Sequence, residues 1–128
     1  MPITIHAYSS LENKEIEAQL ERLYMTSPEF MSGLDAVEQL KEAIGDQTLL
    51  YTAEFNTKII ASIWCFRNIE SAKVESKLQY IVVHPSNRGR GIAQRLISEV
   101  CRMERLDNKA TIFIPGCSAI HKILQRLD

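Results

Sequence analysis

The period of apolar and polar positions changes several times along the 128 residues, and each change marks an element. Ile3 and Ile5 alternate with polar neighbours, as in a short first strand. Ser9-Ser10 and Asn13 precede a helical stretch with Ile16, Leu20 and Leu23 on one side, ending near Ser27-Pro28. Ser32-Gly33 opens a second helix through Leu34, Val37, Leu40 and Ile44, stopped by Gly45-Asp46. Two strands, Thr48 to Phe55 and Lys58 to Arg67, flank Asn56-Thr57 in a hairpin pattern. A polar loop, Asn68 to Ser76, leads into an apolar strand from Leu78 to Val83. A long helix follows, with Ile92, Leu96, Val100 and Met103 on one face. Ala110 to Ile114 forms another strand, Pro115-Gly116 a break, and Ser118 to Leu127 a final helix with Ile120, Ile123, Leu124 and Leu127 inward. The order β-α-α-β-β-β-α-β-α, free of repeats and linkers, predicts one α/β (α+β) domain over residues 1–128 with a mixed sheet.

Composition narrows the class without changing it. Hydrophobic residues make up 45% and charged residues 24%, the balance of a globular chain. No apolar run is long enough to span a membrane, and the start has no basic region followed by an apolar one. Cys65, Cys101 and Cys117 are odd in number and widely spaced, which fits reduced thiols in a cytoplasmic protein. Cys65 and Cys101 read as buried small hydrophobes. Cys117 has no nucleophile signature around it, and no metal site is expected.

The net charge of −1 conceals a division. Residues 1 to 83 carry 7 Lys+Arg and 12 Asp+Glu, whereas residues 84 to 128 carry 8 and 4. A basic second half fits a polyanionic ligand. Nucleic acid fits less well, because Glu99, Glu104 and Asp107 interrupt the basic residues and aromatics are scarce there. A solvated helix face accounts equally for Arg102, Arg105 and Lys109.

The segment Val83-His-Pro-Ser-Asn-Arg-Gly-Arg-Gly-Ile-Ala-Gln-Arg-Leu96 joins the apolar strand to the long helix through an arginine and glycine turn. Pro85 ends the strand, and Arg88 to Ala93 supply consecutive N–H groups where the helix begins. Such an end leaves four amides without partners and is partly positive, so it favours an anion. Gly89 and Gly91 let the backbone turn and approach a ligand. No Lys-Ser/Thr pair follows as in a Walker loop, and Gln94 stands where the third glycine of Gly-x-Gly-x-x-Gly belongs. The alternative is a glycine turn that binds nothing.

This pattern, Arg88-x-x-Gly91-x-Ala93 after a strand ending Val83-x-Pro85, resembles motif A of the GNAT superfamily of acetyl-CoA-dependent acyltransferases, and the element order resembles that fold up to its last helix. The resemblance implies acetyl-CoA as ligand, with Ile81, Val82 and Val83 facing pantetheine. Arg88, Gly89, Arg90, Gly91, Ile92, Ala93 and Gln94 would surround the pyrophosphate. It also implies fourth and fifth strands that splay to admit pantetheine. Family members usually continue with Gly-Phe and two more strands, whereas this chain stops at Asp128. Its last strand is thus expected to be an edge covered by a second copy or a partner.

Acyl transfer to an amine needs a neutral nucleophile, an oxyanion stabiliser and a proton for the departing thiolate. Where many family members carry a glutamate four residues before the Val of Val-x-Pro, this chain has Gln79, and Leu124 occupies the place of the usual tyrosine acid. Tyr80 and Glu54 remain as candidate proton carriers, with Tyr80 expected on the face opposite Gln79. Glu75 in the polar loop and His121 one turn from Leu124 are further candidates. His84 reads as a structural hydrogen-bonding residue. The oxyanion is assigned to backbone N–H near Val83, with water carrying protons. The hairpin from Leu50 to Ala61 also resembles PanZ-type proteins, GNAT-fold acetyl-CoA sensors that promote maturation of an aspartate decarboxylase. Two functions follow: acetyl transfer to a small amine, a protein N-terminus or a lysine, or non-catalytic sensing that regulates a partner. A plain interaction module would bind no CoA.

Overall fold

In the computed structural model, residues 3–45, 47–70, 73–108 and 111–113 are described. The elements are β1 (Thr4–Tyr8), α1 (Lys14–Tyr24), α2 (Gly33–Ala43), β2 (Thr48–Phe55), β3 (Lys58–Glu70), β4 (Lys73–Val83), α3 (Ile92–Asn108) and β5 (Thr111–Phe113). The expected final helix, with Cys117, His121 and Leu124, lies outside the described residues.

Local chemistry accounts for the helix starts. The Asn13 side chain accepts from the amides of Glu15 and Ile16, and the Ser32 side chain from that of Asp35, which satisfies first-turn donors that a helix cannot pair internally. Between β2 and β3, Asn56 and Thr57 have φ of 50° and 66°, the two left-handed residues of a tight hairpin turn.

The sheet runs in the order β1-β2-β3-β4-β5, antiparallel throughout except for the parallel pair β4–β5. Two cores lie on its two faces. Leu20, Leu23, Tyr24, Val37 and Leu40 of α1 and α2 pack with Leu50, Trp64 and Val82. Ile92, Leu96, Ile97 and Val100 of α3 pack with Tyr51, Ile63, Cys65 and Leu78. β2 is therefore buried on both faces, which is why its Leu49-Leu50-Tyr51 run does not alternate.

Two expectations change. The polar stretch Asn68 to Ser76 is not a loop at its ends, because β3 continues to Glu70 and β4 begins at Lys73, paired from Arg67↔Ser76 to Glu70↔Lys73. Cross-strand backbone bonding carries the hairpin through residues of little apolar character. Leu34 is 57% exposed despite its helical spacing, since Gly33 and Ala36 are the residues that α2 buries near its start. Glu104, which interrupts the basic residues of the long helix, has no exposed surface.

Candidate functional site

β4 closes onto β3 where the amide of His84 donates to the carbonyl of Ile60 at 2.9 Å. A single 3-10 turn, Pro85–Asn87, then redirects the chain, and the His84 imidazole caps it: Nδ1 accepts from the Ser86 amide at 3.2 Å and lies 2.7 Å from Ser86 Oγ. His84 thus has the structural role its position suggests. Arg88 folds back over the turn, its Nε donating to the Val83 carbonyl at 3.0 Å. Gly89 and Gly91 have φ of +78° and +74°, a region that favours glycine, and nothing lies within 4 Å of where a Cβ would stand on either. The first intrahelical bond of α3 runs from the Arg95 amide to the Gly91 carbonyl. The amides from Gly89 to Gln94 have no backbone acceptor among the described residues. A groove of about 440 Å³ lined by Arg90, Gly91, Gln94, Arg95, Ser98 and Glu99 opens beside them. Ile92 sends its side chain into the core, so only its backbone is available there.

The β4 edge next to this turn is set by the ladder. With His84↔Ile60 and Val82↔Ser62 as hydrogen-bonded pairs, Val82 directs its N–H and C=O at β3, while Val83, and Ile81 by alternation, direct theirs outward. The parallel pairing of β4 with β5 covers Glu75↔Thr111 to Lys77↔Phe113, so Leu78 to Val83 have no β5 partner among the described residues. This is where a splay was expected.

A bulge interrupts β4 inside that stretch. Ser62 pairs with Val82 but Trp64 with Gln79, so Tyr80 and Ile81 stand against Ile63 alone, and Tyr80 takes φ of 57°. The extra residue reverses the parity of the strand: Leu78 faces α3, and so do Ile81 and Val83 beyond the bulge. Tyr80 therefore shares the α1–α2 face with Gln79, the partner of Trp64, instead of facing the opposite side. Its ring packs 4.8 Å from Trp64 and 5.3 Å from Phe30. A left-handed tyrosine costs about 1–3 kcal/mol and is held there by its surroundings.

Glu54, the other candidate proton carrier, is not brought to Tyr80. It lies on β2, two strands and about 10 Å from β4. Its Oε2 accepts from Tyr8 at 2.9 Å and Thr52 at 2.8 Å and lies 3.9 Å from His6 Nε2. Partial burial and then the Glu54 carboxylate push the Tyr8 phenol up to about 12.

Among the described residues the most strongly perturbed carboxylate is Glu104. It accepts from Tyr51 Oη at 2.7 Å, Ser76 Oγ at 2.7 Å, Cys65 Sγ at 3.3 Å, and Arg67 Nε and Nη2 at 2.8 and 2.5 Å. Burial alone would raise its pKa; these donors, Arg67 first, outweigh that and hold it at about 2. Burial and the same carboxylate push the Cys65 thiol and the Tyr51 phenol up, which makes Cys65 unreactive. The sequence held a signal for Glu104. The series Ile92, Leu96, Val100 continues by four to 104, so the carboxylate occupies a core position of α3. Among the described residues no cluster of three or more metal-ligating side chains occurs, and no helix is long and apolar enough to cross a membrane.

Comparison with known proteins bears on the whole arrangement. Residues 46–125, well over half the chain, match the family model of the acetyltransferase (GNAT) domain. No curated protein matches in sequence. Among solved structures, the chain resembles a GNAT family acetyltransferase of Staphylococcus aureus, with TM-score 0.73 and 22% identity over 92% of this chain and 89% of that one. It resembles a ribosomal-protein-alanine N-acetyltransferase of Brucella melitensis to the same TM-score, 0.73, at 14% identity over 99% and 91%. An aminoglycoside 6'-N-acetyltransferase complexed with coenzyme A gives TM-score 0.70 at 19% identity, over 89% of this chain and 61% of that one. With its strand-turn-helix segment, its bulged fourth strand and this match, the chain belongs to the GNAT acetyltransferase family.

Proposed function

We propose that this protein binds acetyl-CoA along the outer edge of β4 and around the 88–94 turn, and transfers the acetyl group to an amine. One observation carries the reading: a row of amides at the start of α3, opened by two left-handed glycines and without backbone acceptors among the described residues, adjoins a strand edge that has no ladder partner among them. The residues fit the group. Gly89, Gly91, Ile92, Ala93 and Gln94 offer backbone N–H groups to a pyrophosphate, and Arg88 and Arg90 add positive charge. Ile81 and Val83 offer outward N–H and C=O groups to a pantetheine amide chain, while Val82 holds the strand in place from the other side. A structural neighbour was solved with coenzyme A, which supports the same ligand here.

Acetyl-CoA supplies a thioester, whose C–S bond is replaced by a C–N bond as the amine gives up a proton and the thiolate takes one. The chain's own part is to hold the donor, to exclude water with the aromatic cluster around Tyr80, and to direct strand N–H groups near Val83 and the bulge at the developing oxyanion. Water carries the protons, with the Tyr80 hydroxyl as the nearer of the two candidates. The buried thiols of Cys65 and Cys101 suit a reducing, cytoplasmic setting.

A second reading, an acetyl-CoA sensor that regulates a partner such as an aspartate decarboxylase, is favoured by one feature. Glu54 is occupied by Tyr8 and Thr52, and Gln79 cannot take a proton at neutral pH. Calorimetry with acetyl-CoA tests both: binding is expected, and is expected to weaken in Gly91→Val and Arg90→Ala. No binding overturns both readings. Thiol release from acetyl-CoA above background, across polyamines, amino acids and peptides, then separates the enzyme from the sensor.

A further inference from the structure

Between α1 and the β2–β3 hairpin lies a groove of about 390 Å³ whose polar lining includes Gln19, Arg22, Lys58 and His84. Positions 15, 19 and 22 follow one stripe of α1, so the helix presents Glu15, Gln19 and Arg22 to the same side. Gln19 fixes the wall: its Oε1 accepts from the Ile59 amide at 2.7 Å and its Nε2 donates to the Thr57 carbonyl at 3.5 Å. Leu23 and Ile59, both buried, supply the apolar part of the lining. The groove shares no lining residue with the one beside Arg90 and Gly91, and α1 packs on the face of the sheet opposite α3.

Its chemistry is that of an anion site. Among the described residues neither Arg22 nor Lys58 is in an ion pair. His84 adds a neutral donor. Because its Nδ1 accepts from the Ser86 amide, the proton of the uncharged ring sits on Nε2, which has no partner among the described residues. Glu15, exposed in the first turn of α1, is the one carboxylate among the described lining residues. A solvated surface accounts for Lys58 taken alone. It does not account for a guanidinium, an ammonium and an imidazole N–H brought to one concavity by three separate segments.

We propose that this groove binds a small phosphate monoester, its phosphoryl group held by Arg22, Lys58 and the Nε2–H of His84 and its organic body set against Leu23 and Ile59. Donors from three segments suit a tetrahedral anion with several oxygens, whereas a carboxylate is matched by one planar guanidinium fork. The volume leaves room beyond the phosphoryl group and falls within the roughly 300–1,000 Å³ of small-molecule sites. No step of acetyl transfer uses this groove, so its ligand is independent of that reading.

NMR titration of the isotope-labelled chain with glycerol 3-phosphate, inorganic phosphate and glycerol tests this, first without acetyl-CoA and then with it at saturation. Glycerol 3-phosphate is expected to shift the amides of Thr57, Lys58, Ile59 and His84 saturably and to bind several-fold tighter than inorganic phosphate, with no response to glycerol. Arg22→Ala is expected to weaken that binding about tenfold and Lys58→Ala several-fold, with circular dichroism and acetyl-CoA affinity unchanged. Shifts that persist at saturating acetyl-CoA support a separate site. The proposal is overturned by the absence of a saturable shift, by inorganic phosphate binding as tightly, by indifference to both substitutions, or by a response confined to the amides of residues 89–94. Loss of the shifts once acetyl-CoA is bound also overturns it, because the groove then belongs to the phosphates of that ligand. A chain that shows the shifts but binds no acetyl-CoA keeps the groove and loses acetyl transfer, and the reverse result does the opposite.

Discussion

At the residue scale the molecule depends most visibly on Glu104, an ionised carboxylate without exposed surface. It ties α3 to β2, β3 and β4 through Tyr51, Cys65, Arg67 and Ser76. Removing it leaves the Arg67 guanidinium largely buried with no counter-charge, so Glu104→Ala is expected to cost about 3–5 kcal/mol in urea denaturation. Its folded pKa of about 2 lies below the ordinary 4.5, so its stabilisation is fully present above about pH 4.5 and fades as pH falls towards 2. A stability-versus-pH profile should slope across that window in the parent and be flatter there in Glu104→Gln. Gly91 acts differently, since space around it is open but its φ is +74°. Gly91→Ala is expected to cost about 1 kcal/mol of folding stability, read from the same denaturation curves, and to weaken acetyl-CoA binding in calorimetry.

At the element scale, turns and helix contacts show which local rules are obeyed. The β2–β3 hairpin places threonine, a β-branched residue, at a left-handed position with φ of 66°. Thr57→Gly is expected to raise stability by about 0.5–1 kcal/mol, visible as a higher denaturation midpoint at unchanged slope. Gly33 is the converse. Its Cβ would lie 2.1 Å from the Glu21 carbonyl oxygen, so Gly33→Ala is expected to force α1 and α2 apart at a cost of about 1–3 kcal/mol. Helix starts were legible in the sequence because Asn13 and Ser32 cap through bonds to amides two or three residues away. The β4 bulge was not, because nothing local to Gln79-Tyr80-Ile81 announces an extra residue. Its position follows from how β3 pairs on either side.

At the scale of the whole molecule, the uneven charge of the chain becomes a difference between two faces, with the acidic α1–α2 pair on one side of the sheet and α3 on the other. If acetyl-CoA binds as proposed, a hundredfold excess over Kd adds about 2.7 kcal/mol, which thermal unfolding should register as a rise of a few degrees in Tm. Among the described residues β5 has β4 as its one neighbour, and a second copy beyond it would show as a dimer mass in light scattering. The sequence by itself determined the order and kind of the elements, the glycine turn and its amides, and hence the class of ligand that turn suits. Those properties rest on side-chain period, capping and backbone freedom, all of which act within a few residues. Only the tertiary structure decided which donors gather on Glu104, that Tyr80 shares a face with Gln79, that Glu54 is occupied at a distance, and that Phe30 stands against the bulge. Each of these depends on strand register and interhelical contact between segments remote in sequence, and burial or pairing at such contacts is a property of the partner as much as of the residue.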